Sequence, residues 1–332
     1  MKWIKKKRIW IPLILIAGIA LGPRMKFATI NPIPQPLELT INELDDFLEK
    51  RESKVANLKP NNQSRIVWND SLHQKTRYSV VYLHGFSASP MEADPIHLAF
   101  AKRYGCNIYL PRLTGHGIDD IESFKNLEPQ ELVESAQEAL AIGALIGEQV
   151  IVMSCSTGST LSIYLAATQP EKVSSMIMYS PNINLYDSKS KLLTAPWGLQ
   201  LAKWMGGSDY RSYTLPEGAE QFWTTKYRME GVVSLRNLLD QTMTDKIFKK
   251  VTQPYYIGYY YKNDEESDHV ISIDAIHDFY EKTSTPPSLK IKEAYPDVAT
   301  HVLPSHFQSK NLEAVRKQTF NYAEEVLGLS PK

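Results

Sequence analysis

From Arg65 onward the chain reads as an α/β protein with a mostly parallel central sheet and helices on both faces. Two observations predict this. Short apolar runs, the one at 78–83 nearly continuous, alternate with longer helix-period segments. Such alternation builds βαβ units, whose sheet is buried on both faces. A length of 332 residues suffices for one large core with insertions.

Composition narrows the class. Apolar residues make up 43% and charged residues 22%, ordinary globular usage that excludes disordered and fibrous chains. Lys+Arg and Asp+Glu both number 37, so the net charge is zero, without the basic excess of a dedicated nucleic-acid binder. Two cysteines, Cys106 and Cys155, are too few for a disulfide framework or a four-ligand zinc site.

The N-terminal residues 1–26 stand apart. Lys2, Lys5, Lys6, Lys7 and Arg8 precede an uncharged run from Ile9 to Pro23. This is the pattern of a membrane anchor or a signal segment. The run is short for a span of ~20 residues, but Trp3 and Ile4 extend it if the intervening lysines snorkel. A small-x-small pattern, Ala20-Leu21-Gly22, precedes Pro23, a poor context for cleavage. An uncleaved anchor, a cleaved signal and a buried or peripheral helix all stay open. The positive-inside rule keeps the N-terminus in the cytoplasm and exports the remainder, which is then membrane-anchored or released.

Residues 27–64 form a linker and a helix. Pro32, Pro34 and Pro36 mark extended chain. Thr40 and Glu43 fit a capping box, and Ile41, Leu44, Phe47, Leu48 and Val55 give a helical stripe, so a helix is expected over 41–58. Within 65–330, strands are expected at 65–68, 78–83, 107–110, 149–154, 173–179, 254–261 and 289–292. Helices are expected at 94–104, 129–146, 158–168, 272–282 and 311–327. Between about 188 and 250 the alternation stops. Trp197, Trp204, Tyr210, Tyr213, Phe222, Trp223 and Tyr227 populate this stretch, which reads as a helical cap over one end of the sheet.

Three motifs carry chemistry. Met153-Ser154-Cys155-Ser156-Thr157-Gly158 follows an apolar strand and opens a helix. It resembles the nucleophile elbow G-x-S-x-G, with Ser156 central, Gly158 kept and Ser154 in place of the first glycine. Taken alone, the same residues would also serve to N-cap a helix. Centring the motif on Ser154 gives Val152 and Ser156 as flanks, a worse fit. His84-Gly85-Phe86-Ser87-Ala88-Ser89-Pro90 directly follows the strand at 78–83, and Gly115-His116-Gly117 follows the next strand. His84 and His116 read as loop-ordering residues.

Together these motifs resemble those of α/β-hydrolase-fold serine hydrolases, in particular the monoacylglycerol lipase and carboxylesterase group. The resemblance covers residues 65 to about 327. It implies an eight-stranded, mostly parallel sheet and the chain order serine, acid, histidine. It implies that the backbone N–H groups of Phe86 and Thr157 form an oxyanion hole. It places the base at His301, in the loop between the last strand and last helix, with His306 as fallback. The acid falls in the loop after 254–261, where Asp268 fits the register, Asp264 is second and Asp187 a remote third; Glu265 and Glu266 read as an exposed turn. Cys155 is expected to point into the packed strand–helix junction.

The implied function is a serine esterase or lipase acting on acylglycerols or similar apolar esters, needing no metal or organic cofactor and no nucleic acid. Its partners are a small-molecule ester, with lipids among the candidates, and the membrane reached through the N-terminal segment. The aromatic cap would form a lid and acyl pocket. An aminopeptidase or acyltransferase on the same fold is the alternative within enzymes. A membrane-anchored, catalytically silent binding protein is the alternative outside them, favoured only by Ser154.

Overall fold

A computed structural model of the chain describes Gly18 and residues 20–332. Most of the expected anchor therefore lies outside the described residues. Among those described, no helix is long and apolar enough to cross a membrane.

The Thr40–Glu43 pair opens the first helical segment: the Glu43 carboxylate accepts from the Thr40 N–H (2.8 Å) and hydroxyl (2.6 Å). A 3-10 turn at Ile41–Glu43 leads into α1 (Leu44–Glu52). The helix ends six residues before the expected 58. The chain after it is held instead by tertiary bonds, Asp119 N–H to the Asn57 carbonyl (2.8 Å) and Lys59 N–H to the Gly117 carbonyl (2.9 Å).

Nine strands and eight further helices follow. In order they are β1 (Arg65–Val67), β2 (Thr76–Leu83), α2 (Ile96–Tyr104), β3 (Asn107–Leu110), α3 (Pro129–Ile146), β4 (Gly147–Cys155), α4 (Thr157–Thr168) and β5 (Val173–Tyr179). Then come α5 (Gly198–Gly206), β6 (Tyr210–Ser212), β7 (Lys226–Arg228), α6 (Met229–Thr242), α7 (Asp245–Phe248), β8 (Tyr255–Tyr260), α8 (Ile273–Lys282), β9 (Lys290–Tyr295) and α9 (Leu312–Glu325). Local chemistry sets the boundaries. Gly105 ends α2 at φ +62°, which a residue without Cβ adopts freely. Pro129 occupies the first position of α3, and the Ser272 hydroxyl caps α8 by accepting from Ala275 N–H.

The main sheet has seven strands in the order β1-β3-β2-β4-β5-β8-β9, one fewer than the resemblance implied. Ahead of β1 the chain supplies the closely spaced Pro32, Pro34 and Pro36 and then α1 rather than a strand, since proline cannot donate to a ladder. β1 pairs antiparallel with β3, and every other pairing is parallel. Successive side chains feed opposite cores: Val81, Leu83, Val150 and Val152 on one face, Val80, Tyr82, Ile151 and Met153 on the other. β4 lies at the sheet's centre, and the ends of β2, β4, β8 and β9 from which the site loops spring share one edge.

The stretch between β5 and β8 is not purely helical. A 3-10 turn (Ser188–Thr194), α5, α6 and α7 accompany an antiparallel ribbon of β6 and β7. In that ribbon Tyr210 pairs with Arg228, and the Lys226 and Arg228 cations lie 4.9 and 5.1 Å from its ring centroid. The aromatic residues there divide. Trp223 and Tyr227 are buried, while Trp197 and Trp204 face solvent.

Candidate active site

The turn from β4 into α4 is sharp because it must cross directly beneath the end of β2. A Cβ on Gly158 would lie 1.9 Å from the Leu83 carbonyl oxygen, so only glycine fits. Ser156 takes the strain of the turn, with φ +52° and ψ −117°, an unfavourable conformation for a residue with a side chain. Its N–H donates to the Tyr179 carbonyl (2.9 Å), and its own carbonyl accepts from Ser159 and Asn182 (2.9 and 3.1 Å). Ser156 is 7% exposed, the outermost point of an otherwise buried junction.

Ser154 causes no crowding. Its hydroxyl lies 3.0 Å from that of Ser159 and 3.2 Å from that of Ser162, both on α4. The extra group thus fills a small polar niche of serines where the glycine motif has a hydrogen. Cys155 is fully buried, and burial pushes its thiol well above the ordinary range, keeping it a neutral packing group.

The loop after β2 comes close to Ser156. A Cβ on Gly85 would sit 3.3 Å from the Ser156 Cβ and 2.8 Å from a Glu92 carboxyl oxygen. No backbone carbonyl among the described residues accepts from the N–H of Phe86 or Thr157. The loop is braced from both sides. His84 is buried, with Nε2 accepting from Leu113 N–H (3.1 Å) and Nδ1 donating to the Gly85 carbonyl (2.9 Å). His116 donates from Nδ1 to the Thr114 carbonyl (2.9 Å) and meets the Phe86 ring edge-on at 5.5 Å. Burial depresses both imidazoles, His116 to about 4, so both are neutral struts at neutral pH. From the cap, Tyr213 shares a 2.6 Å hydrogen bond with the Ser87 hydroxyl, and Thr224 N–H donates to the Ser87 carbonyl (2.7 Å). Phe86 packs against Phe124 (4.7 Å) and Tyr227 (5.5 Å), giving the loop an aromatic wall.

Of the carboxylates after β8, the structure brings Asp268 to a histidine. Asp268 Oδ2 accepts from Nδ1 of His301 at 2.6 Å, and Oδ1 accepts from Val270 N–H (2.9 Å) and Ile271 N–H (3.4 Å). The Asp268 side chain is wholly buried. Burial is the largest influence and works against its charge, but the His301 cation and these hydrogen bonds outweigh it and hold the carboxyl below the usual range. Burial likewise opposes charge on His301, and Asp268 overcomes it, raising the imidazole above its ordinary value. Asp264 is exposed and accepts from the Tyr261 hydroxyl (3.0 Å). Asp187 caps the turn at Ser188, and His306 bonds the Asp94 carbonyl while stacking on Phe307. None of these three joins the cluster.

Glu92 went unmarked in the sequence. It lies in the 3-10 turn Pro90–Ala93, 1% exposed, with Oε2 accepting from Gly85 N–H and the Tyr82 hydroxyl, both at 2.8 Å. Burial lifts its carboxyl to about 7, against the pull of those two bonds and the His301 charge. The only sequence signal is its place seven residues after Gly85; nothing local marks a glutamate as buried.

The fold is shared with known proteins. A family model described as "Alpha/beta hydrolase family" matches residues 80–309. None of the curated proteins matches the chain. Among solved structures, one from the metagenome-derived lipolytic enzymes LipS and LipT aligns at TM-score 0.64 and 15% identity, covering 80% of this chain and 98% of that one. A monoacylglycerol lipase from Paleococcus ferrophilus aligns at TM-score 0.56 and 12% identity, covering 78% and 96%. Est1E from Butyrivibrio proteoclasticus, with ferulic acid bound, aligns at TM-score 0.52 and 15% identity, covering 80% and 95%. At these identities the likeness is one of fold.

Proposed function

The chain belongs to the alpha/beta hydrolase family, and from that premise we propose that it is an exported serine hydrolase cleaving carboxylic esters through Ser156, His301 and Asp268. The single observation carrying this reading is the buried 2.6 Å pairing of Asp268 with His301 at the sheet edge where Ser156 projects from β4. His301 Nε2 takes the Ser156 proton as Oγ attacks the acyl carbon. Asp268 holds the Nδ1–H tautomer and favours the imidazolium that forms. The Phe86 and Thr157 N–H groups, unclaimed by backbone carbonyls, receive the oxyanion. Collapse of the tetrahedral intermediate expels the alcohol, which takes its proton from His301. Water then attacks the acyl-enzyme with His301 as base, releasing the acid and restoring Ser156.

An apolar acyl group, as in acylglycerols, is the acyl class proposed, supported by the apolar packing of Phe86, Phe124 and Tyr227 beside the loop after β2. The hydrogen-bonded niche around Ser154 supports a working elbow over a silent binding protein. The basic cluster ahead of Ile9–Pro23 supports membrane attachment with the hydrolase domain outside the cytoplasm.

Fluorophosphonate labelling tests the chemistry. The wild-type protein takes up the probe at Ser156, and Ser156→Ala abolishes both labelling and turnover, a loss of ~10⁶-fold in kcat where a triad nucleophile is removed. Labelling that persists at Ser154 overturns the assignment. A panel of esters of graded acyl length then defines the substrate. Recovery of full-length protein in the cytosolic fraction would refute the location.

A further inference from the structure

Six of the large apolar side chains left exposed among the described residues lie between Tyr186 and Met205. Trp197, Leu201, Trp204 and Met205 follow the spacing i, i+4, i+7, i+8, which puts them on one face at the start and along the length of α5. Trp204 is 79% and Met205 66% exposed. An amphipathic surface helix normally turns such a stripe inward. α5 instead faces the protein with half-buried Leu199, Ala202 and Lys203, the last bonded to Glu230 (2.8 Å) and Asp209 (3.0 Å), and presents the stripe outward.

The chain arriving from the N-terminus meets the same stripe. Trp197 N–H donates to the Pro23 carbonyl (2.7 Å), and its indole Nε1–H to the Gly18 carbonyl (3.1 Å). A Cβ on Gly22 would lie 1.8 Å from that Nε1, so the glycine lets the chain lie flat on the ring. Leu21, beside it, is 85% exposed.

We propose that the Trp197–Met205 stripe is a bilayer-docking surface, lying in the interface of the membrane that the residues before Pro23 enter. The proposal rests on the reading of residues 1–26 as membrane-inserting and extends it to the folded domain. The geometry compels the extension. A tryptophan bonded to Gly18 and Pro23 sits where the uncharged run leaves the apolar layer, the depth that tryptophan favours. α5 continues from that tryptophan, so its apolar face reaches ~5–10 Å into the headgroup and acyl boundary. The preceding turn adds exposed Lys189 and Lys191, matched to anionic headgroups. The competing occupant is the segment 1–17 folded back on the stripe. Its five cations would find no carboxylate among Gln200, Leu201, Trp204 and Met205 on the exposed face.

The test uses the full-length protein in vesicles of phosphatidylethanolamine and phosphatidylglycerol, in a roughly 3:1 mixture, carrying nitroxide-tailed lipid. Cys106 and Cys155 are buried, so Trp204→Cys accepts a bimane label selectively. Leu72→Cys is the control, being exposed on the loop between β1 and β2 at the opposite end of the sheet. Quenching by the lipid nitroxide at position 204 should exceed that at 72 by at least about threefold. Equal quenching in protein that floats with the vesicles overturns docking while leaving the anchor reading intact. A label at 204 shielded from both lipid nitroxide and aqueous iodide in floating protein overturns docking in favour of the folded-back segment. Protein that does not float overturns the anchor reading and the docking surface together.

Discussion

His301 Nδ1 and Asp268 Oδ2 lie 2.6 Å apart across 33 residues of sequence, and the Asp268 side chain has no exposed surface. The pairing separates two aspartates that share one loop. Asp268 spends its second oxygen on the Val270 and Ile271 N–H groups, which fix the carboxylate's aim, while Asp264 faces water beside Tyr261.

Asp268→Asn is therefore expected to lower turnover by ~10⁴-fold, through loss of the productive imidazole tautomer. Asp264→Asn should change it by no more than about tenfold, through loop geometry alone. Turnover of one chromogenic ester by both variants, with folding checked by circular dichroism, decides between them. A near-normal Asp268→Asn beside an inactive Asp264→Asn reverses the assignment.

The pH profile carries a second expectation. A general base works deprotonated, and Asp268 together with Glu92 raises His301 above its ordinary 6.5. The acid limb of kcat/KM should have its midpoint above that value. Replacing Glu92 by glutamine removes an anion that favours the imidazolium, so the limb should move to lower pH. An unmoved limb in Glu92→Gln would show that the two groups do not interact.

Glu92 should also leave a mark on stability. Its folded pKa of about 7 lies above its ordinary 4.5. An acid raised in this way favours the fold most when protonated. That contribution is complete below about 4.5 and is lost as the pH climbs through about 7. Between pH ~4 and ~8 the wild type should lose about 3 kcal/mol relative to Glu92→Gln, which cannot ionise. Urea unfolding of both proteins at the two pH values measures the difference.

Both ends of the elbow motif should lose stability when replaced, but only one should lose activity. Gly158→Ala drives a Cβ to 1.9 Å from backbone of β2 that has no room to retreat, and should cost about 3 kcal/mol with loss of activity. Ser154→Gly gives up the hydroxyl contacts to Ser159 and Ser162 and adds a glycine to a strand, at about 2 kcal/mol, while activity stays within a few-fold. Thermal unfolding and turnover of both variants check this. An inactive Ser154→Gly would mean that the serine niche does more than fill space.

The alternation of elements is legible in the residues alone, because apolar periodicity reports burial directly wherever a strand has two covered faces. β2, β4 and β5 read clearly for that reason. β9 read as too short because it is an edge strand whose Lys290, Lys292 and Glu293 hide the pattern, its ladder being set by β8 alone. The candidates Ser156, Asp268 and His301 came instead from the resemblance of the motifs, which carries the chain order serine, acid, histidine with it. Tertiary structure alone decided which partners meet across long separations: Asp268 over Asp264, Glu92 beneath Gly85, and Ser154 among the serines of α4. It also divided the cap aromatics, burying Tyr227 against Phe86 and turning Trp204 outward. An aromatic residue carries the same apolar surface in either place, and only the packing around it determines whether protein covers that surface.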